Sequence, residues 1–444
     1  MTFTRALGRF DATMIVIGGI IGSGIFINPS IVAGRLESSP LVLAAWVAGG
    51  LIALAGALSY AELGSLFPRV GGQYAYLRDG LHPLAGFLYG WALLAVIETG
   101  AIAAVAIAFS TYALRLVGQT NVSPTPLAIA ALLILSLVNV LGVKPGSRVL
   151  NVLVMLKIGA LAALIAFGLF APAAPDWLTA GKLSGTTNNS LMIAFGAALV
   201  PILFAYGGWQ NANYVAEEVK DPIRQLPVSI IGGTMAVVAI YVLVNVIYLR
   251  ALGLEGLAST TTPAADAAHR MFGSFGDRFV TAAIAISTFG FLDLAILAPT
   301  RVYYAMAADG LFFPALARLH PTYRTPVVAI ALQTTWSCVL ALSGSYGQLL
   351  NYVVFADWIF FGLTVSTVLV FRRGVPLSER PVTLFRAPGY PLVPALFIAT
   401  AAAVVLSVVW ADPRSAARGA LLLLAGIPLF YWFVRRKTNR RSSS

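Results

Sequence analysis

The sequence predicts an all-α polytopic membrane protein. Of its 444 residues, 59% are hydrophobic and 10% are charged, and the mean hydropathy is +0.86. A soluble protein of this composition would expose too much apolar surface to water. Apolar runs long enough to cross about 30 Å of hydrocarbon as a helix recur along the chain. We predict twelve transmembrane helices, near residues 13–34, 41–66, 84–114, 126–143, 149–171, 190–216, 228–251, 277–306, 327–343, 349–371, 391–410 and 416–434.

The distribution of basic residues predicts the orientation of the chain. A net charge of +12 could by itself indicate binding to nucleic acid. With the N-terminus placed in the cytoplasm, however, most of the 29 Lys and Arg residues fall in cytoplasmic segments, as the positive-inside rule requires. We therefore expect no nucleic-acid partner, two cytoplasmic termini, and a basic tail from Arg435 to Arg441 that can contact anionic membrane lipid.

Cysteine and histidine are few and dispersed. Cys338 is the only cysteine, and the three histidines are His82, His269 and His320. This pattern predicts no disulfide framework, no metal site and no catalytic triad, and the chain carries no phosphate-binding loop. We expect a protein that is not an enzyme and needs no cofactor.

The first apolar run contains glycine twice in three positions, at Gly22 and Gly24. Each glycine weakens a helix by about 1 kcal/mol relative to alanine, and backbone groups freed in a membrane must bind other protein groups or a ligand. If the helix stops near Gly22 and restarts near Ser23, the restarted half directs its N–H groups at the middle of the membrane, where they can hold an anion. Alternatively, these small residues only allow two helices to pack closely.

The sixth apolar run contains a second pair, Gly207 and Gly208, again at mid-membrane. Breaks at corresponding places in the first and sixth helices fit a five-helix unit that is repeated with inverted topology, with the two broken helices meeting at a substrate site. A glycine that only serves packing predicts no such counterpart.

Ionisable residues inside the apolar runs are functional candidates, because isolated charge is costly in the bilayer. Glu98 lies in the third run and is either a protonated structural acid or a group that couples protons or contacts a cationic substrate. Lys157 lies in the fifth run and could extend its stem to the cytoplasmic surface. Asp293 and Asp357 are further embedded acids; we expect Asp293 to be hydrogen-bonded within the bundle, and Asp357 has no assigned role.

Two stretches carry a resemblance to a known family. The connection Phe67-Pro68-Arg69-Val70-Gly71-Gly72-Gln73 resembles a signature of the amino acid–polyamine–organocation superfamily. The stretch 204–211 with its continuation 216–222 resembles the L-type amino acid transporters. The resemblance implies the leucine-transporter fold with a 5+5 inverted repeat and broken helices 1 and 6. Helices 1–5 would occupy residues 1–171, helices 6–10 residues 172–373, and helices 11–12 with the basic tail residues 374–444.

The resemblance also implies the substrate site. Backbone N–H groups of Ser23 and Gly24, after the break at Gly22, would hold the substrate carboxylate. Carbonyl groups would hold the amino group, and aromatic side chains would wall the pocket for the substrate side chain. The implied carbonyls belong to Ile20, Phe204 and Gly207, and the implied aromatic residues are Phe204 and Trp209.

Coupling and gating residues follow from the same resemblance. In sodium-independent relatives a lysine of the fifth helix occupies the place of the sodium ion, which implies Lys157, with Ser287 as its partner and carbonyls near Gly19 and Ile20. At the cytoplasmic end of the sixth helix, Glu217 and Glu218 either pair with Arg9 as an inner gate or form a solvated helix end.

We therefore predict a sodium-independent secondary transporter of neutral L-amino acids, working by exchange or proton-linked uptake in a bacterial-type inner membrane. One alternative is a carrier of cationic amino acids or polyamines, with Glu98 as counter-charge. Another is a non-transporting membrane sensor or subunit. Animal L-type relatives join a heavy chain through an external cysteine after the third helix, but this chain has no cysteine between Arg115 and Thr125. We expect no disulfide-linked heavy chain, and the oligomeric state stays open.

Overall fold

The computed structural model describes residues 5, 7–119, 121–141, 143–175, 177–178, 188–343, 346–374 and 385–442. Within these ranges every regular element is helical, and the one extended contact is an isolated parallel bridge between Leu7 and Val219. The predicted all-α class is therefore confirmed.

The helices are numbered in chain order. They are α1 (Arg9–Ile20), α2 (Gly24–Leu36), α3 (Ser39–Leu66), α4 (Gln73–Gly80), α5 (Pro83–Ala92), α6 (Glu98–Leu116), α7 (Thr125–Val140), α8 (Val143–Phe170), α9 (Asn188–Tyr206), α10 (Asn211–Tyr214), α11 (Pro222–Ser259), α12 (Pro263–Leu297), α13 (Thr300–Ala308), α14 (Val327–Ser343), α15 (Tyr346–Gly374), α16 (Leu392–Ala411), α17 (Pro413–Leu424) and α18 (Gly426–Ser442). A π-helical segment, Leu93–Ile97, joins α5 to α6. Short 3₁₀ helices occupy Ala216–Glu218 and Pro314–Ala317.

The apolar helices account for the predicted runs to different degrees. Among the described residues, nine helical stretches are long and apolar enough to cross a membrane, and three shorter apolar helices, Thr125–Val140, Leu191–Tyr206 and Val327–Leu342, coincide with further predicted runs. The polytopic architecture is thus established, whereas the count of twelve spans and the inverted repeat stay predictions.

Both glycine pairs lie at interruptions of a helix. The first run stops at Ile20 and restarts at Gly24, which separates α1 from α2. The sixth run stops at Tyr206 and restarts at Asn211, which separates α9 from α10. These two interrupted runs contain the residues from which the candidate site is built.

The broken first run lies in the centre of the bundle. Of its most apolar window 89% is buried, against 28% for Leu392–Trp410 and 22% for Ala416–Thr438. Helix α1 packs against α8, α11 and α12, and α2 packs against α9 and α11. The last two apolar stretches are therefore peripheral, and the broken helix is enclosed by the others.

Ion pairs hold the helix ends at the predicted cytoplasmic side. The Glu218 carboxylate accepts a hydrogen bond of 3.1 Å from Nε of Arg301, whose side chain is fully buried. Glu217 accepts one of 3.0 Å from the Val70 N–H. Neither of the two predicted alternatives holds for Glu218, because its counter-charge is the buried Arg301 of α13 and not the exposed Arg9, and Glu218 is itself buried and not solvated.

The N-terminal leader contacts the same region through its backbone. The Leu7 N–H donates to the Glu218 carbonyl at 2.9 Å, and the Lys220 N–H donates to the Leu7 carbonyl at 2.8 Å. The leader is thus attached to the segment that follows the second break.

A second buried ion pair joins α3 to α15. Arg372 donates two hydrogen bonds of 2.6 Å to the Glu62 carboxylate, and the Ala387 N–H donates a third of 2.8 Å. Because a bidentate arginine fixes both distance and orientation, this pair sets the position of α15 at that end of the bundle.

Candidate functional site

One cavity lies where the two breaks meet. Both broken helices line it, and α6, α12 and α15 complete its wall. Its polar lining residues are Ser23, Glu98, Gln210, Asn211 and Asp357, and its larger apolar ones are Ile97, Val105, Leu203, Phe204, Phe291, Val353, Val354 and Trp358. The site therefore joins a polar region at the breaks to a largely apolar wall.

The backbones of the two breaks are in direct contact. A Cβ atom at Gly208 would collide with the backbone of Gly19, including its carbonyl, and Gly208 has φ +120°, a conformation that other residues rarely adopt. A Cβ atom at Gly24 would lie 2.7 Å from both Cα and Cβ of Ala205. The breaks thus need glycine both for local conformation and for close approach. From the sequence these two reasons are alternatives, and the structure shows both.

The restarted first helix presents its N-terminus at the cavity. Helix α2 begins at Gly24, so the amide groups of its first turn have no full preceding turn to bond to. The Phe26 N–H turns back to the Ser23 carbonyl at 3.1 Å. Both Ser23 and Gly24 line the cavity, and a helix N-terminus of this kind attracts an anionic group.

The carbonyl groups at the breaks are not all available in this conformation. The Ile20 carbonyl accepts from the Tyr241 hydroxyl at 3.0 Å and from the Gly22 N–H at 2.9 Å. A carbonyl oxygen has two lone pairs, so both are occupied here. The Phe204 carbonyl accepts a hydrogen bond of 3.2 Å from the Gly207 N–H. Of the predicted acceptors, Ile20 is thus engaged by Tyr241, which sequence reasoning did not identify.

Lys157 reaches the first break. Its Nζ donates to the Ile21 carbonyl at 2.8 Å, and the residue is buried. Its stem therefore does not extend to the surface. The hydrogen-bond partners of Lys157 differ from the expected ones in two respects. The acceptor is the carbonyl of Ile21, next to the expected Ile20, and the expected partner Ser287 has a buried hydroxyl with no hydrogen-bond partner among the described residues.

Two carboxyl groups line the cavity. Glu98 directly follows the π-helical segment, a feature frequent at functional sites, and it is 7% exposed. Asp357 lies on α15, and one of its oxygens is buried without a hydrogen-bond partner. The sequence marked Asp357 only as an embedded acid, whereas the fold brings it beside Glu98.

Asp293, in contrast, has a partner inside the bundle. The Asn139 side chain donates to its carboxylate at 2.7 Å, and Asp293 does not line the cavity. This agrees with the expectation that Asp293 is hydrogen-bonded within the bundle.

The aromatic wall differs from the expected one. Phe204 lines the cavity, but Trp209 is fully buried behind it, with ring centroids 5.0 Å from Phe361 and 6.4 Å from Tyr60. The chain turns at Gly208, and this turns the Trp209 indole away from the cavity. Phe291 and Trp358 occupy the wall instead. No local signal in the sequence distinguishes these two aromatics from those that face lipid.

Comparison with known proteins identifies the family that this chain matches. The family model described as amino acid permease matches residues 7–433. The chain is 32% identical to the serine/threonine exchanger SteT of Bacillus subtilis (strain 168), over 98% of each chain. It is 30% identical to the large neutral amino acids transporter small subunit 2 of Homo sapiens, over 96% of this chain and 80% of that protein. It is 31% identical to the b(0,+)-type amino acid transporter 1 of Homo sapiens, over 98% and 88%.

Proposed function

We propose, since the chain belongs to the amino acid permease family, that it exchanges or takes up neutral L-amino acids without sodium, by alternating access in a bacterial-type inner membrane. The family makes it an integral membrane amino acid transporter, and not an enzyme. The observation that carries the finer proposal is that both helix breaks line the same cavity. We further propose twelve spans in a 5+5 inverted repeat, divided at residues 171 and 373, with both termini cytoplasmic.

A zwitterion needs an anion pocket and a cation pocket a few ångströms apart. Facing ends of broken helices supply both without formal charge. In this proposal the N-terminus of α2 binds the substrate carboxylate, and carbonyls at the ends of the preceding half-helices bind the ammonium group. The residues concerned are Ile20, Gly22, Ser23, Gly24, Phe204 and Gly207. Tyr241 must then release Ile20, or another carbonyl must replace it, when substrate binds.

The apolar wall supports a neutral substrate. Leu203, Phe204, Phe291 and Trp358 face the same cavity as the two breaks, and apolar groups of this kind stabilise an uncharged side chain. The names of the relatives, a serine/threonine exchanger and a large neutral amino acid transporter, agree with this class. Trp209 would serve as a gate only if another state of the cycle turns it toward the cavity.

Lys157 supports sodium independence. An ammonium group bonded to the carbonyl of Ile21 satisfies that oxygen as a bound cation would. In this proposal it takes the role of the ion that other carriers require, and Ser287 joins it in a different state of the cycle.

Counterflow in proteoliposomes tests the function. Purified protein is reconstituted into vesicles that contain one unlabelled amino acid, and uptake of labelled amino acids is measured in sodium and in potassium buffers. We expect equal uptake in both buffers and competition by neutral amino acids. Uptake that requires sodium contradicts the proposal that Lys157 takes the role of the sodium ion. Complete absence of counterflow would favour the non-transporting sensor or subunit.

A carrier of cationic amino acids or polyamines is the second candidate. The observation in its favour is that Glu98 and Asp357 line one cavity. Competition by lysine, arginine or putrescine that exceeds competition by leucine or serine would support it. The sole cysteine, Cys338, lies on α14 within the bundle, so we also propose that no disulfide-linked heavy chain is needed in this assay.

A further inference from the structure

The carboxyl groups of Glu98 and Asp357 form an acid pair without a counter-charge. Both line the central cavity, and they are close enough to interact electrostatically. Glu98 is 7% exposed. One oxygen of Asp357 is buried and has no hydrogen-bond partner among the described residues. Among the described residues that line the cavity, none is basic.

Two other ionisable groups within the bundle have hydrogen-bond partners of their own. The ammonium group of Lys157 is bonded to Ile21, and Asp293 is bonded to Asn139. Helices α14 and α16, which flank α6 and α15, carry no carboxyl or basic side chain; their one titratable group is the thiol of Cys338. The basic residues of α6, α15 and the other elements that pack against them are either exposed or paired. The exposed ones are Arg270, Arg278, Arg373, Arg414 and Arg418, and the paired ones are Arg78 with Asp309, Arg115 with Asp266 and Asp277, and Arg372 with Glu62. None of them lines the cavity.

The remaining titratable neighbours are tyrosines. Asp357 acts electrostatically on the hydroxyls of Tyr60, Tyr89 and Tyr214, and Glu98 acts on those of Tyr214 and Tyr303. The Tyr89 and Tyr214 hydroxyls are hydrogen-bonded to each other. These groups are neutral, so they can donate hydrogen bonds to a carboxylate but cannot balance its charge.

Two adjacent carboxylates cannot both stay ionised in a closed site of low dielectric constant. With a neutral zwitterion as substrate, the substrate brings no net charge to compensate them. We propose that Glu98 and Asp357 together form the proton-binding site of the transport cycle, and share one proton when the cavity closes around the substrate. This inference rests on the proposed function, because a cationic substrate would supply the missing charge itself.

The proton balance of the cycle follows. A water-filled, open cavity solvates two carboxylates; closure around the substrate requires that one carboxylate oxygen takes a proton from water. When the cavity opens on the other side, that O–H bond breaks and the proton returns to water. The empty carrier returns with water in its cavity, which solvates both carboxylates, so no proton moves back. One proton then moves with each zwitterion, and net uptake carries one positive charge inward and responds to membrane potential as well as to pH. In exchange, the outgoing zwitterion carries a proton out, so no net charge moves.

The test measures proton and substrate movement in the same proteoliposomes. Vesicles report internal pH through a trapped dye, and a potassium gradient with valinomycin sets the membrane potential. For the wild type we expect neutral amino acid uptake to acidify the lumen, and to rise when the interior is made negative or the exterior acidic. Glu98→Gln and Asp357→Asn should each lose this stimulation by a larger factor than they lose counterflow.

Asp293→Asn is the matched control, because it removes an embedded carboxyl group that lies outside the cavity and should keep the proton response. Wild-type net uptake that is indifferent to pH and potential overturns the proton site but leaves the proposed function intact, and this measurement needs neither cavity variant to fold. Retained proton response in both variants also overturns it, as does loss of lysine or arginine binding in Glu98→Gln, which would assign the pair to a cationic substrate. Absence of any counterflow overturns the proposed function itself.

Discussion

The side-chain ammonium of Lys157 on α8 donates a 2.8 Å hydrogen bond to the main-chain carbonyl of Ile21, within the break between α1 and α2. A helix break frees backbone acceptors, and in a membrane each of them needs a donor. The bond therefore couples the position of α8 to the conformation of the broken helix.

Lys157→Ala should keep measurable substrate affinity but lose most transport. Without the ammonium group, the Ile21 carbonyl loses this hydrogen-bond donor. The broken helix then no longer exchanges normally between its two conformations in the transport cycle. Equilibrium binding and counterflow, measured on the same preparation, separate the two effects. Normal turnover by the variant would show that the lysine is only structural.

Gly24→Val should weaken substrate binding by at least about tenfold, or about 1.4 kcal/mol. The added side chain meets Ala205, from which even a Cβ atom would be 2.7 Å away, and it covers the N-terminus of α2. Gly34→Ala in the same helix is the control, since Gly34 is exposed and its nearest neighbour would be 4.0 Å from the new Cβ. Binding measured by competition should fall only in the first variant, and equal affinities would remove this break from the site.

Gly208→Ala should destabilise the protein, while its neighbour Gly207→Ala should be tolerated. Gly208 has φ +120° and touches the backbone of Gly19, whereas a Cβ at Gly207 would approach no atom closer than 3.4 Å. Backbone strain alone costs about 1–3 kcal/mol. Melting temperatures in detergent should therefore rank wild type and Gly207→Ala above Gly208→Ala. Similar values for all three proteins would contradict the contact between the breaks.

Glu62→Gln should lower the melting temperature far more than Asp221→Asn. Removal of one partner from a buried ion pair costs about 3–5 kcal/mol, and the side chains of Glu62 and Arg372 are 3% and 14% exposed. Asp221 lies 3.9 Å from Arg224 at the surface, where a pair contributes at most about 1 kcal/mol. Equal decreases in melting temperature for the two variants would mean that Arg372 donates to another acceptor when Glu62 is replaced.

Much of this protein could be predicted from residue type and spacing. Membrane insertion and the all-α class follow from composition, because long apolar runs leave helices as the way to satisfy backbone hydrogen bonds in lipid. Gly22, Gly24, Gly207 and Gly208 mark the breaks, since glycine weakens a helix. The pair Gly49 and Gly50 nevertheless stays helical within α3. The sequence alone therefore determined the class and the candidate positions of the breaks, because these depend on local composition.

The tertiary structure decided which groups meet. Glu98 and Asp357 lie far apart in the chain, and only the packing of α6 against α15 brings both to one cavity. Glu218 could pair with any nearby base, and the burial of Arg301 selected that partner over Arg9. Trp209 and Trp358 both lie in apolar runs, so the sequence does not distinguish them. The turn at Gly208 buries Trp209 behind the cavity, whereas Trp358 lines it. Contacts of this kind depend on distances between separate helices, which residue patterns within one helix do not encode.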